Sequence, residues 1–460
     1  METKLKYSLI FIAIFLLNSC FEKKQKNPDM PKLMVLDSLE KPNFATESDW
    51  KSSADRIVFR NAPTGFIVRG ELCLLVGKAQ RLESITTIHP SASDYKVDTY
   101  YDAITELTAQ NCTNTKYAWL ELNDSFHSKD LNIELKKLEI DAPTEPTVPF
   151  FVQMEVYAFN KAMNNDVHVE DYESPLSALD LLSKHRLQPI KSWVSASAPV
   201  DTGDFSFSKF VMNYATGPAN IPEGSMANTY ADYVKDAWFY VIDEPQPHQA
   251  RSLQAKLDEL EAKHPAVQKM VTAPSNFPVK GIDIYCPVLQ HIKKRDDYPD
   301  TLWSYISCMS HGCGTNRSVL SDPNNFEHVD HDRSGEPDIM IDAPAMDLYA
   351  LFLITKELSI QALLYFDSIT QWALIKKGID VFKDMYNFGG NGDGTLIYPD
   401  LKNKRAYPSL RLKILREASY MRDALELCPQ KPDLSNFYRS PTEWSFPTNI
   451  RNIIYRCIEK

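Results

Sequence analysis

The sequence predicts an α/β protein: a (β/α)8 TIM-like barrel, irregular in part, preceded by an N-terminal β-sandwich. Three observations predict it. Residues from about 50 to 145 carry short β-type runs separated by polar turns, with no helical run between them. A proline-rich stretch, Asp141 to Pro149, then breaks the pattern and reads as a linker. Beyond it, strand-like runs alternate with helical periodicities, which is the signature of a parallel sheet, and the length suits a barrel.

The elements are justified in chain order. Lys4 and Lys6 precede an apolar stretch, Tyr7 to Leu17, that is short for a membrane span. Leu17-Asn18-Ser19-Cys20 follows and resembles a bacterial lipoprotein signal. Residues 1–19 are therefore expected to be a signal peptide and Cys20 the lipidated residue. Residues 20–49 are the expected tether, which holds the protein on a membrane without spanning it. The expected location is the bacterial cell envelope. Residues 50–145 are assigned to the sandwich, with strands at Arg56–Arg60, Thr64–Val68, Leu72–Val76, Ala118–Leu122 and Asn132–Ile140.

Residues 146–460 are assigned to the barrel and a C-terminal helix. Strands are expected at Phe150–Tyr157, Pro189–Val194, Ala237–Ile242, Lys269–Thr272, Ile282–Cys286, Leu302–Ile306 and Ala362–Phe366. Helices are expected at Ser177–Lys184 and Asp347–Lys356. Leu253, Leu257 and Leu260 lie on one helical face. Residues 199–233 read as loop, with no strand or helix placed. Leu410, Ile414, Ala418, Met421 and Leu425 mark an amphipathic helix.

Composition narrows the partners. The net charge of −11 and the lack of a long basic run argue against a nucleic-acid backbone or an anionic membrane surface as the main partner. Setting Cys20 aside from eight cysteines leaves seven, an odd number, so at least one thiol stays unpaired within the chain. Cys308 and Cys313 are close enough to staple one loop, or are two free thiols.

The chemistry is expected at Ala237 to Pro247, AWFYVIDEPQP. An apolar strand ends there in Asp243, Glu244 and Pro245. Pro245 cannot join a sheet ladder and favours an extended Glu244. Neighbouring side chains on a strand point to opposite faces, so the two acids share one site only if the pleat breaks between them. Two solvated acids at a turn would have the same sequence, and the spacing alone does not choose. Aromatic residues near other strand ends suit the C–H faces of sugar rings: Tyr240, Tyr285, Trp303, Tyr305, Tyr365 and Trp372, with Asp367 as a hydroxyl ligand. Core packing is the competing role for each. No metal or other cofactor is expected. His328, Asp330, His331 and Asp332 lack the ordered spacing of a metal site, and Asn391-Gly392-Asp393-Gly394 reads as turn chemistry.

Six stretches in order, YVIDEP, LWSYISC, PDIMIDAPAMD, LLYFDSITQW, NGDGTLIYP and SLRLKILREASYMRDALEL, resemble glycoside hydrolase family 123, exo-acting β-N-acetylgalactosaminidases. The resemblance covers most of 235–427. It implies removal of terminal β-linked N-acetylhexosamine, N-acetylgalactosamine favoured, with retention, the sugar's own 2-acetamido oxygen attacking C1. This lies outside the usual scheme of two enzyme carboxylates. Asp243 would hold the acetamido N–H, and Glu244 would protonate the leaving oxygen and then activate water. The REASYMRD run departs from the family's glycine- and acid-rich one, which leaves substrate identity open. A non-catalytic carbohydrate-binding lipoprotein on the same scaffold is the alternative. Either way the expected partners are a glycan and, through the lipid, a membrane.

Overall fold

The computed structural model describes residues 33–36, 53–60, 62–77, 82–92, 99–122, 134–153, 173–190, 211–213, 238–263, 265–266, 268–299, 301–306, 316–317, 326–327, 337–341, 343, 345–383, 386–387, 390–400, 403, 405–429 and 457–458. Cys20, Cys308, Cys313 and the His328–Asp332 run lie outside them. Among the described residues no helix is long and apolar enough to cross a membrane.

The first strands are β1 (Leu33–Leu36), β2 (Ser53–Arg60) and β3 (Thr64–Gly70). Helix α1 (Leu72–Val76) and strands β4 (Leu82–Ala92), β5 (Thr99–Glu106), β6 (Tyr117–Leu122) and β7 (Glu134–Asp141) follow. An antiparallel sheet runs β1-β3-β6-β4-β5, and β2 pairs in parallel with β7. β1 lies inside the stretch read as a tether and pairs along its length with β3. Leu72–Val76, expected as a strand, is helical. Its Leu72 and Leu75, one turn apart, are both buried, and Cys73 is bridged to Cys112.

The five-stranded sheet is covered on both faces, which explains runs such as Phe66-Ile67-Val68 that do not alternate. Phe66, Val68, Ala118 and Leu120 pack with Leu33, Leu72 and Leu75. Ile67, Ile88, Ile104 and Trp119 face the other way and join the main core of the C-terminal half. Gly65 permits this: a Cβ there would lie 2.0 Å from the Trp119 ring.

The proline-rich segment is packed rather than free, with Val148 buried and Thr147 N–H donating to Asp423. Among the described residues eight parallel strands follow: β8 (Phe150–Gln153), β9 (Leu187–Ile190), β10 (Val211–Asn213), β11 (Trp238–Ile242), β12 (Gln268–Val271), β13 (Ile284–Tyr285), β14 (Trp303–Ile306) and, later, β17 (Ala362–Tyr365). Between these last two come the short strands β15 (Asn316–Arg317) and β16 (Phe326–Glu327). β10 falls in the stretch where no strand was expected.

Two four-stranded sheets form, β10-β11-β12-β13 and β14-β17-β8-β9. Parallel bridges Tyr285↔Leu302 and Val288↔Tyr305 join them. β17 pairs with β8, so the eighth parallel strand lies beside the first. Helices α2 (Glu173–Lys184), α3 (Ala250–Lys263) and α4 (Ala345–Glu357) connect strands. On α3, Leu253, Leu257 and Leu260 pack against Val241 and Val271.

The chain then forms β18 (Tyr386–Asn387), β19 (Gly390–Asn391), β20 (Ile397–Asp400), β21 (Arg405–Pro408) and helix α5 (Leu410–Glu426). Ser409 caps α5, its hydroxyl accepting from Leu412 N–H at 3.0 Å. α5 is the helix expected from Leu410, Ile414, Ala418, Met421 and Leu425, and its polar positions are buried as well. Arg411, Lys413 and Arg416 are buried with its apolar residues because the N-terminal sheet covers them and supplies acids, and Arg422 is buried against Thr355 of α4. Asp102 accepts from the Arg411 guanidinium and from Tyr398, and Glu121 pairs with Lys413 and Arg416. Burial alone would raise the Glu121 carboxyl, but Arg416 and Lys413 hold it down at about 2.

Candidate active site

Period-two alternation sorts the parallel strands into two faces. Phe151, Trp238, Met270, Ile284, Trp303, Tyr305 and Leu364 form one apolar cluster, against which Tyr240 packs. Trp303 is stacked on Phe151 at 4.9 Å and set edge-on to Trp238 at 4.8 Å. The alternate residues, such as Phe150, Val152, Leu363 and Tyr365, join the helical layer instead.

β11 breaks this alternation at its C-terminal end. Tyr240 is paired with Met270 but Ile242 with Val271, so Val241 is an extra residue on the strand. Val241 and Ile242 both pack toward α3. The phase is thereby shifted, and Asp243 returns to the side of Tyr240. The Tyr240 hydroxyl donates to Asp243 Oδ1 at 2.5 Å.

Glu244 would then point away, but its φ is +41°, in the left-handed region. This corrects the extended backbone expected before a proline. The reason is a bond to the neighbouring strand: Glu244 N–H donates to Thr272 Oγ1 at 2.6 Å, which holds the chain in the turn. The reversal brings the Glu244 carboxylate toward β14, three strands along, where the Tyr305 hydroxyl donates to its Oε1 at 2.5 Å. Both acids are exposed, and each is anchored by a tyrosine from the same aromatic cluster.

Burial raises the Tyr305 phenol, and the hydrogen bond and charge of Glu244 raise it further. Tyr240 is raised by burial and by Asp243. Both phenols therefore keep their protons and act as donors. Cys286, free and buried, lies in the same cluster; burial and the Asp243 charge push its thiol up, so it is an apolar wall and not a nucleophile.

The other sequence-derived candidates are placed differently. Trp303 is buried in the floor beneath the tyrosines. Tyr285 is half-buried and meets Tyr298 edge-on at 6.0 Å. Tyr365, at the end of β17, and Asp367 and Trp372, just beyond it, are all buried. Tyr365 hydroxyl donates to Asp393 at 3.1 Å and accepts from Gly394 N–H at 2.6 Å. Asp367 accepts from Ile369 N–H, and the Trp372 indole donates to Ile397 O at 2.7 Å. The Asn391–Gly394 turn is the buried partner of this network, with φ of +82° at Gly392 and +70° at Gly394. Thr272 was read only as the end of a strand. Its signal would have been register: it follows the strand that pairs with β11. Among the described residues no His, Cys, Asp and Glu cluster could hold a metal ion.

No protein-family model matches the chain, and no curated protein matches it. The fold is similar to that of a family 123 glycoside hydrolase from Clostridium perfringens, whose structure was used to detail glycolipid glycan hydrolysis. The TM-score is 0.55 at 10% identity, over 94% of this chain and 96% of that one. Bacteroides thetaiotamicron EndoBT-3987, in complex with Man9GlcNAc2Asn, gives a TM-score of 0.19 at 7% identity over 79% of this chain and 98% of that one, which is no likeness of fold. The likeness of architecture to a family 123 glycoside hydrolase therefore extends over nearly the whole of both chains.

Proposed function

We propose that this protein is a glycoside hydrolase that releases terminal β-linked N-acetylhexosamine, N-acetylgalactosamine by preference, with retention and with the substrate's acetamido group as nucleophile. The observation that carries the reading is the pair of exposed neighbouring carboxylates, Asp243 and Glu244, turned to one side of a strand end and anchored to one aromatic cluster. The fold likeness to a family 123 hydrolase supports it.

In this reading the acetamido oxygen bonds to C1 as the glycosidic C1–O bond breaks. Glu244 gives its proton to the departing oxygen. Asp243 accepts the acetamido N–H and balances the positive oxazolinium-like intermediate. Water then loses a proton to Glu244 and attacks C1, which reopens the acetamido group and restores the anomeric configuration. Tyr240 and Tyr305 would line the sugar's path, with Trp303 as the floor, while Tyr285, packed on the helical side of β13, would support it from behind. For Tyr365, Asp367 and Trp372 we propose a supporting role in place of direct sugar contact, given their burial. We further propose that the eight parallel strands close as a barrel, a reading supported by the pairing of β17 with β8. Lipidation at Cys20 and an envelope location belong to the same proposal and rest on the N-terminal residues.

The test is a panel of aryl β-glycosides with and without a 2-acetamido group, assayed with wild type and Glu244→Gln, with NMR of the first-formed anomer. Turnover confined to 2-acetamido sugars, with retention, is expected. A wild type that binds glycans but turns over none of them would sink the proposal and favour a lectin.

A further inference from the structure

We infer that Thr272 is the positioning residue of this site: one buried hydroxyl sets the direction of both carboxylates. The inference rests on the proposed reading of Asp243 and Glu244 as the reacting pair.

Thr272 directly follows β12, the neighbour of β11, and is 5% exposed. Its Oγ1 lies 2.6 Å from Glu244 N, 3.0 Å from Asp243 Oδ1 and 3.5 Å from Ile242 O. A hydroxyl has one hydrogen to give and lone pairs to receive. Accepting from Glu244 N–H uses a lone pair, and the hydrogen goes to the nearer acceptor, Asp243 Oδ1.

Each bond has a separate consequence. The first holds Glu244 at positive φ, a backbone state costly for a residue with a Cβ and more so before a proline. Without it Glu244 relaxes toward an extended backbone and its carboxylate swings away from Tyr305. The second bond converges with that of Tyr240 on the same oxygen, Oδ1. Among the described residues Oδ2 has no partner, so it is the atom free to accept an N–H from a ligand. A 2-acetamido sugar supplies such a donor; a sugar with a 2-hydroxyl presents its hydrogen closer to the ring. Thr272 is thus the link that makes two neighbouring acids act on one substrate.

The test compares Thr272→Val, which keeps the shape and removes the hydroxyl, with Thr272→Ser, which keeps the hydroxyl. Kinetics use an aryl 2-acetamido-β-glycoside, and crystal structures are determined for both variants. Misplacing a reacting group by about 1 Å costs on the order of 10²-fold. Thr272→Val is expected to lose about that much kcat with KM changed far less, and Thr272→Ser to recover most of it. In the Thr272→Val structure Glu244 φ is expected to leave the left-handed region and Asp243 to rotate off Tyr240. Wild-type kcat in Thr272→Val, equal damage in Thr272→Ser, or unmoved carboxylates in the Thr272→Val crystal would each overturn the inference. If Thr272→Val does not fold, Thr272→Ala replaces it in both measurements. A wild type without activity defeats the hydrolase reading instead, and the crystallographic comparison then decides the role of Thr272 alone.

Discussion

The ends of β11 and β17 look alike in one dimension and differ in three. Each is an apolar run closed by an acid and flanked by aromatics: Tyr240-Val-Ile-Asp243-Glu244 in one, Tyr365-Phe-Asp367 and Trp372 in the other. At β11 a bulge and a left-handed residue turn the acids outward over an aromatic floor. At β17 regular pleating sends Tyr365 to the helical side, where the Asn391–Gly394 turn and α5 enclose it. The difference teaches that composition at a strand end does not make a site. What sets the β11 end apart is a local break in the pleat that leaves its two acids exposed.

That contrast predicts that changes at β11 alter turnover and spare stability, while changes around β17 and α5 do the reverse. The largest effect is expected for Glu244→Gln, which should lower kcat by about 10²–10⁴-fold on substrates with poor leaving groups. Its thermal unfolding midpoint should stay near that of wild type, because Glu244 is exposed. A steady-state assay beside a melting curve checks both halves.

Next is Asp102→Asn. It removes the buried partner of Arg411, whose other guanidinium bonds go to the carbonyls of Ile339, Gly392 and Thr395. Breaking one side of a buried pair costs about 3–5 kcal/mol. Urea unfolding should show that loss, with kcat of the folded protein unchanged. A stable Asp102→Asn protein with impaired catalysis would reverse the assignment of the two regions.

The matched pair Tyr305→Phe and Tyr365→Phe is sharper still. Tyr365→Phe leaves the buried Gly394 N–H without its acceptor and should cost about 1–3 kcal/mol with kcat intact. Tyr305→Phe should lower kcat and shift the melting temperature little. Equal effects of both on kcat would erase the distinction.

The smallest effect concerns pH. His185 is buried beside Lys413 and Arg416; its Nδ1 sits 2.6 Å from Leu181 O. Burial, then those two cations, keep its pKa well below the ordinary 6.5. Below pH 6.5 the unfolded chain therefore binds a proton that the folded one refuses, and stability falls as pH drops through that value. Glu121 acts in the same direction lower down, its contribution waning from about pH 4.5 toward 2. Melting temperature against pH, for wild type and His185→Gln, should differ in slope below 6.5.

Much of the local structure was legible in the sequence, for physical reasons. Leu253, Leu257 and Leu260 repeat at helical spacing and are buried on one face of α3. The apolar run before Asp243 is a strand, and Pro245 ends it. Other features were hidden because they depend on partners distant along the chain. Leu72–Val76 is apolar enough for a strand, and only its bridge to Cys112 and its neighbours across the sheet make it a helix. Tyr365 and Trp372 carried the signature of sugar contacts, but their surroundings come from β20 and the turn before it. At Glu244 the preference imposed by Pro245 was legible, and the hydroxyl that overrides it lies 28 residues away.

The bond between Arg411 and Asp102 spans 309 positions of sequence. At a translation speed of about 5–20 residues per second, the acid leaves the ribosome roughly 15–60 s before the guanidinium that neutralises it. Throughout that interval the face of the first sheet destined for α5 has neither its counter-ions nor its apolar cover. The face of the first sheet that meets α5 therefore stays incomplete until α5 has been made. Completion waits for α5, and the newborn molecule depends until then on whatever shields Ile67, Trp119 and their neighbours from other unfinished chains.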